Sequence, residues 1–350
     1  MRTDIVIVGS GPSGLALGYN LAQRQQDFVI LEKGDAAAQT WADISPDLAL
    51  LTPWWLSAPL RGDIFEKPIF TRIQADEYYR HLDRHAGTLQ SHLKTRHHVQ
   101  SVSRDDDDFV VSGSFGSIRC NRVVASSGYY SAPHIPSLPS DGSIPAIHAG
   151  DYPSIRALLG ASPLRILIIG RRITAGQVLE QLHDAGHALA VSARDAKVTY
   201  QRLRKPNTLL ETGYYLGEYM FLGMLPKMKV DTYPGMSGGR PRTLIEEGSV
   251  PVFKRPAAVR DGIVQFEDGV EQPFDLIVFA TGYRPALGYI DDLVDRSDSN
   301  GLPRTRNFEC DEQPGLYLLG FDNLINMRSR SFRGIRKDAR ALARILSKKR

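Results

Sequence analysis

Two cysteines, Cys120 and Cys310, are all the thiol this 350-residue chain contains, and no CxxC spacing joins them. That excludes a paired dithiol redox centre and a cysteine-rich zinc site. Apolar runs are short, and none reaches the roughly 20 residues that a membrane-spanning helix needs. The first strand-like segment begins at Asp4, leaving no room for a cleavable leader, so the cytoplasm is the expected compartment. Metal-ligand spacing is missing too. His97 and His98 are adjacent and point apart in a strand, with no HxxxH or carboxylate pattern nearby, so no metal is expected.

What is present fits a soluble globular chain with length for two or three domains: 42% hydrophobic and 23% charged residues. The net charge of +4 conceals an asymmetry. Residues 328–350, "RSRSFRGIRKDARALARILSKKR", carry ten Arg or Lys against the single Asp338, and the rest of the chain is net acidic. A basic segment of this kind binds nucleic acid or anionic lipid when it is free. Here Ile335, Ala339, Leu342, Ile345 and Leu346 recur at helical spacing, which predicts a helix docked on the core with a charged outer face. No nucleic-acid partner is expected.

The N-terminus reads as strand "DIVIV", turn "GSGPSG", helix "LALGYNLAQRQ" and strand "FVILE", one βαβ unit. Gly9 turns off the strand, Gly11 lets a pyrophosphate approach the backbone, and Gly14 permits close helix–strand packing. Pro12 suits the first helical turn, followed by Ser13. Glu32, at the end of the second strand, is placed to accept hydrogen bonds from ribose hydroxyls. A dinucleotide site follows from the strand, helix, strand and terminal acid together, although the motif does not decide between FAD and NAD.

A second unit begins at Arg165: strand "RILIIG", helix "AGQVLEQLHDAG", strand "ALAVSA". In register, Gly9 falls on Gly170, Gly11 on Arg172, Gly14 on Ala175 and Glu32 on Ala193. The fold class is therefore α/β with two Rossmann-like dinucleotide-binding domains. Between the units, "FVVSGS" and "CNRVVASSG" read as strands. A stretch from Pro133 to Pro163, with Pro136, Pro139, Pro145 and Pro153, reads as an extended, irregular interdomain connection. Beyond the second unit come hairpin-like "GIVQFEDGVEQPFDLIVFATGYRP" and a last strand, "GLYLLG".

"VIVGSGPSG…LEK", Thr40–Trp41 followed by "LALLTPWWLSAPLRG", "VVASSGYYSAPHIP" and "DLIVFATGYRP" together resemble the flavin-containing monooxygenases, the class B group that includes Baeyer–Villiger and Yucca-type enzymes. The similarity runs over nearly the whole chain and is weakest at 200–250. It implies FAD held by Gly9, Gly11, Pro12, Ser13, Gly14, Glu32, Lys33 and Trp41. Gly320 and Asp322 would join them from "GLYLLGFDN", the segment that, with the helix after Arg333, brings backbone amides and a helix N-terminus to the isoalloxazine ring. "ATGYRP" resembles the family's hinge-like strand end. The activity implied is NADPH- and O2-dependent transfer of one oxygen atom through a flavin C4a-(hydro)peroxide to a small organic substrate, by N- or S-oxygenation or Baeyer–Villiger reaction.

Three departures stand out. The family fingerprint FxGxxxHxxxY survives only as His148 and Tyr152 of "HAGDY", where the histidine positions rather than reacts. Thr52 of "LLTPWW" stands where longer members carry an asparagine near the flavin edge, and it can still donate a hydrogen bond. The second glycine loop, GxGxSA in the family, is here Gly170, Arg172, Thr174 and Ala175. Arg172 either displaces the loop or pairs with the phosphates. Ala193 followed by Arg194, with Lys197 nearby, is the pattern that accommodates a 2′-phosphate, so NADPH remains the expected reductant. The alternative is an FAD-dependent oxidase or dehydrogenase that never uses NADPH because this loop is degenerate.

"TGYYLGEYMFLGMLPKM" at 212–228 offers Tyr214, Tyr215, Tyr219, Met220, Phe221 and Met224, with Gly213, Gly217 and Gly223, as an apolar channel or glycine-hinged lid, or simply as core. Trp54 and Trp55 raise the same choice. The expected domains are 1–158 for the first part of the FAD domain, 159–262 for the inserted NAD(P)-type domain with its lid at 200–250, and 263–350 for the remainder. A homo-oligomer is left open.

Overall fold

Strands Arg2–Val8, Phe28–Leu31 and Gly116–Ala125 run parallel, with Val6 opposite Val29 on one side and Val123 on the other. All four residues of "FVIL" are buried, as expected of a parallel strand covered on both faces. This is the centre of a nine-stranded sheet in a computed structural model that describes residues 1–44, 48–68, 70–201, 209–221, 227, 235–298 and 300–348. Outward from Gly116–Ala125 lie Gln313–Leu318, Glu309–Cys310 and Thr305–Arg306, while Leu93–Lys94 closes the other edge. Val99–Asp105 and Asp108–Gly113 add an antiparallel extension that the sequence reading had in part as "FVVSGS".

The chain divides into two compact units, Met1–Ser131 with Pro206–Val230 and Pro285–Arg350, and Ala132–Lys205 with Asp231–Arg284. In the first, helix Pro12–Ala22 buries Leu15, Leu17 and Leu21 and packs against the C-terminal helix Phe332–Leu346. That helix buries Ile335, Ala339, Leu342 and Leu346, while Ile345 is only partly covered. Arg336 and Asp338 are buried with them, so the inner face is not purely apolar.

The second unit is built on a five-stranded parallel sheet in the order Val252–Phe253, Ala188–Ser192, Arg165–Ile169, Leu276–Phe279, Ala146–His148. On one face, Ala175, Val178, Leu179 and Leu182 of helix Ile173–Asp184 pack on Ile166, Ile168 and Val191. On the other, Phe266 and Phe274 from the region of the antiparallel meander Pro256–Arg260, Ile263–Phe266, Glu271–Pro273 cover Leu167, Ile169 and Phe279.

The proline-rich crossing is more regular than expected. Pro145 precedes the strand Ala146–His148, and Pro153 sits in the first turn of helix Tyr152–Leu158, where a missing N–H is no loss. Asp151 caps that helix by accepting from the Ser154 amide at 3.2 Å.

Candidate functional site

The first glycine loop carries glycines of two kinds. Gly9 has φ +101°, and a Cβ there would lie 2.9 Å from the Ser126 carbonyl oxygen; a Cβ on Gly14 would lie 2.0 Å from the Gly9 carbonyl oxygen. The fold itself demands both. Gly11 has an ordinary φ of −65°, and a Cβ there would meet nothing within 4 Å. Neither conformation nor packing accounts for it, and the space beside its backbone is open. Gly11 is also the N-cap of helix Pro12–Ala22, which has no side-chain cap and no acid in its first turn. Its first N–H groups and positive dipole end suit a phosphate.

Glu32 is only 7% exposed and holds the loop in place. Its carboxylate accepts from the Ser10 amide at 3.0 Å, the Ser10 hydroxyl at 2.6 Å and the Gly34 amide at 3.0 Å. Three of about four lone-pair directions are thus used, leaving one for a ribose hydroxyl. Lys33 is exposed beside it. Gly320, with φ +81°, follows the Gln313–Leu318 strand, and a Cβ there would strike Ser13 Oγ at 2.1 Å. The end of that strand is therefore seated on the first glycine loop.

Asp322 is brought into a network that the sequence did not suggest. Tyr129 Oη donates to its carboxylate at 2.9 Å, its own amide donates back at 3.1 Å, and Arg330 donates at 3.3 Å while lying 4.1 Å over the Tyr129 ring. Burial and the Asp322 charge push the Tyr129 hydroxyl pKa up, so it stays a donor. Trp41 forms an aromatic cluster with Tyr78 at 4.6 Å and Phe332 at 5.6 Å between ring centroids. Thr52 does not present a free hydroxyl: its Oγ1 lies 2.6 Å from Ser57 Oγ. Trp54 is core, with Nε1 donating to the Asp63 carbonyl at 2.7 Å.

In the second unit the two loops do superimpose in register, since Arg172 is the N-cap of helix Ile173–Asp184 as Gly11 is of its own helix. Gly170 repeats the fold-demanded glycine, with a Cβ 2.4 Å from the Ala280 carbonyl oxygen. Ala175, fully buried, is tolerated where Gly14 could not be replaced. The backbone at Arg172 forms an antiparallel bridge with Gly235, and Thr174 is half-buried. Ala193 is buried and hydrogen-bonded to the Phe253 carbonyl, whereas Arg194 and Lys197 are exposed.

His148 is fully committed. Its Nδ1 accepts from the Gly150 amide at 3.0 Å, so Nε2 carries the proton and donates to the Gly282 carbonyl at 3.0 Å. Burial lowers its pKa, and the neutral ring clips the Ala146–His148 strand end to the 281–284 segment. Tyr152 opens the following helix. Of the 212–228 stretch, helix Leu209–Met220 exposes Tyr214, Leu216 and Met220, with Phe221 after it. Tyr215 lies under the Arg333 guanidinium at 5.3 Å. Gly223, Met224 and the Tyr219 side chain lie outside the described residues.

Two functional-looking groups were missed, both in the basic C-terminal segment. Arg336 donates at 3.2 Å to the carbonyls of Trp55 and Ala58, and Asp338 is 7% exposed. The helical spacing held a signal, because residue 338 lies three after Ile335 and four before Leu342, on the apolar face.

Residues 6–211 match the family described as pyridine nucleotide-disulphide oxidoreductase. The chain belongs to that family. The resemblance read from the sequence recurs among its relatives. An uncharacterized oxidoreductase CzcO-like protein of Geobacillus kaustophilus is 23% identical, over 97% of both chains. The probable indole-3-pyruvate monooxygenase YUCCA7 of Arabidopsis thaliana is 26% identical, over 90% of this chain and 82% of its own. The flavin-containing monooxygenase of Stenotrophomonas maltophilia shares the fold, with a TM-score of 0.76 at 20% identity over 99% of this chain and 98% of that one. Family membership does not bring a dithiol here: Cys120 and Cys310 are both free and buried, and burial pushes each thiol up to about 12. Among the described residues no helix is long and apolar enough to cross a membrane.

Proposed function

We propose that this protein is an FAD-dependent monooxygenase that uses NADPH and O2 to place one oxygen atom on a small organic substrate. The observation that carries the reading is Gly11, a glycine that nothing in the protein requires, at the uncapped start of a helix. Gly9, Gly11, Pro12, Ser13 and Gly14 would hold the FAD pyrophosphate, Glu32 a ribose hydroxyl with Lys33 at the rim, and Trp41, Gly320 and Asp322 the region nearer the ring. FAD, when bound, supplies the hydride acceptance and oxygen activation. The chain's own residues bind it, orient it and exclude water.

In the second unit the backbone route to a pyrophosphate is narrowed at Arg172 by the bridge to Gly235, so the guanidinium is the group to meet the phosphates. Thr174 and Ala175 lie at the helix start after Gly170, and Arg194, exposed after the Ala188–Ser192 strand, would pair with a 2′-phosphate. The balance is one NADPH, one proton and one O2 consumed for one oxygenated product, one NADP+ and one water. The test is anaerobic mixing of the yellow protein with NADPH, followed by oxygen uptake with amines, sulfides and ketones. Flavin bleaching and substrate-dependent uptake are expected, and a flavin that NADPH cannot reduce would overturn the reading.

A further inference from the structure

Helix Leu209–Met220 turns an apolar face to solvent. Leu210, Met220 and Phe221 are 86%, 63% and 56% exposed, and Tyr214 and Leu216 are exposed with them. Phe221 continues the helical turn, since its amide donates to the Gly217 carbonyl at 3.0 Å. Leu210, Tyr214, Gly217 and Phe221 stand at i, i+4, i+7 and i+11 and share one line along the helix, with Gly213 and Met220 beside it. Glu211 and Glu218, the two acids of this helix, each follow a residue of that line by one position and so fall about 100° round from it. Large apolar residues scattered singly over a surface mean little, but five gathered on one short helix mark a contact surface.

What lies beside that face fixes the kind of contact. The helix meets the first turn of the C-terminal helix Phe332–Leu346 through Tyr215, whose ring lies 5.3 Å from the Arg333 guanidinium above it. Both helices belong to the same compact unit. Arg333, Lys337, Arg340, Arg344 and Lys348 stand at i, i+4, i+7, i+11 and i+15, so they form a single stripe along the C-terminal helix. Lys337, Arg344 and Lys348 are exposed and Arg340 is partly so, whereas Asp338, the only acid among residues 328–350, is buried. The apolar helix therefore covers one end of a basic stripe whose remainder runs on in the open.

A nucleic acid would meet the stripe but leave Leu210, Met220 and Phe221 with nothing apolar to touch. In an isologous pair of chains the apolar face would meet itself, and the stripe beside it would meet a stripe of like charge. A bilayer with anionic headgroups complements both features at once. We propose that helix Leu209–Met220 and the outer face of the C-terminal helix form a docking surface for an anionic membrane. Leu210, Tyr214, Met220 and Phe221 enter the boundary between headgroups and acyl chains, and Lys337, Arg340, Arg344 and Lys348 pair with the headgroups. The contact is peripheral, and it does not depend on the flavin reading.

The experiment sediments the full chain with vesicles of phosphatidylcholine alone and of phosphatidylcholine mixed with phosphatidylserine. Wild type should bind the mixed vesicles and not the neutral ones, and should come off as salt rises from about 0.1 M to about 1 M, where the Debye length falls from about 10 Å to about 3 Å. The triple variant Lys337→Gln/Arg340→Gln/Arg344→Gln should bind about a hundredfold more weakly, at about fivefold for each charge. Leu210→Ser/Phe221→Ser should bind at least about tenfold more weakly. All these side chains are at least partly exposed, so both variants should melt with wild type. Phe221→Trp adds a reporter, and its fluorescence should be quenched by brominated acyl chains where that of wild type is not. Wild type that ignores the mixed vesicles, binds neutral ones equally well, or is matched in binding by both multiple variants would overturn the proposal. A wild-type dimer that Leu210→Ser/Phe221→Ser dissociates, with no vesicle binding, would overturn it in favour of a second copy of the chain.

Discussion

Replacing Gly11 by alanine separates what the ligand needs from what the fold needs. The added methyl meets nothing within 4 Å, and the φ of −65° suits any residue. Alanine is a poorer N-cap than glycine, but it also lowers the entropy of the unfolded chain, so the apoprotein should keep its stability within about 1 kcal/mol. At Gly14 the methyl would stand 2.0 Å from the Gly9 carbonyl oxygen, where ordinary contact begins near 3.4 Å. Helix and loop must part by more than an ångström, which costs about 1–3 kcal/mol in strain. Both variants should weaken FAD, by about ten- to a hundredfold for each charge-assisted hydrogen bond lost to the phosphates. Thermal melting of the apoprotein and fluorescence titration with FAD read the two effects apart. Gly11→Ala that binds FAD as tightly as wild type, or that melts as early as Gly14→Ala, would refute the assignment of the middle glycine to a ligand.

Three other outcomes follow from the same geometry. Arg194→Ala should lose about ten- to a hundredfold in NADPH affinity and leave NADH unchanged, measured by anaerobic stopped-flow flavin reduction; equal loss with both cofactors refutes a 2′-phosphate contact. Arg172→Ala should weaken NADPH by about 1.5–3 kcal/mol if the guanidinium pairs with the pyrophosphate, whereas improved reduction by Arg172→Gly would show that it obstructs the loop. Burial pushes the Asp338 carboxyl up to about 7 from 3.8, so its stability contribution is whole below the unfolded value and is lost as pH rises through about 7. At about 1.4 kcal/mol per unit this amounts to about 4 kcal/mol; Asp338→Asn should melt higher than wild type at pH 8 but not at pH 4, and parallel pH profiles would refute it.

Much of the scaffold was legible because its signals are local. The strand–turn–helix–strand pattern at residues 4–32 is carried by neighbouring residues, and the second unit aligns with it closely enough that Gly11 and Arg172 prove to be equivalent N-caps. The Tyr129–Asp322–Arg330 network was not legible. Its first two members are 193 positions apart and meet only because Gly116–Ala125 pairs with Gln313–Leu318. The charged outer face read for the C-terminal helix holds only in part, because Arg336 and Asp338 share the phase of its apolar positions and are buried with them. Proline content alone predicts an irregular crossing, but Pro153 sits in the first turn of a helix and Pro145 just before a strand, where the ring is compatible with regular structure.

The arginine in the second loop is tolerated for the reason that Gly11 is informative. A glycine demanded by the fold cannot drift, and in the second unit the one that survives is Gly170, whose Cβ would collide with the Ala280 carbonyl. The middle position never carried that constraint, since its equivalent in the first loop opens on empty space. At the third position the second unit carries Ala175, whose methyl is buried in the core of that unit. Arg172 therefore changes what can approach the helix from outside without disturbing the helix itself. The second unit thus keeps the helix start of the first with a charged side chain where the first has bare backbone. That is why the two loops, alike in fold, call for opposite mutational tests: the first is probed by adding a methyl, the second by taking a side chain away.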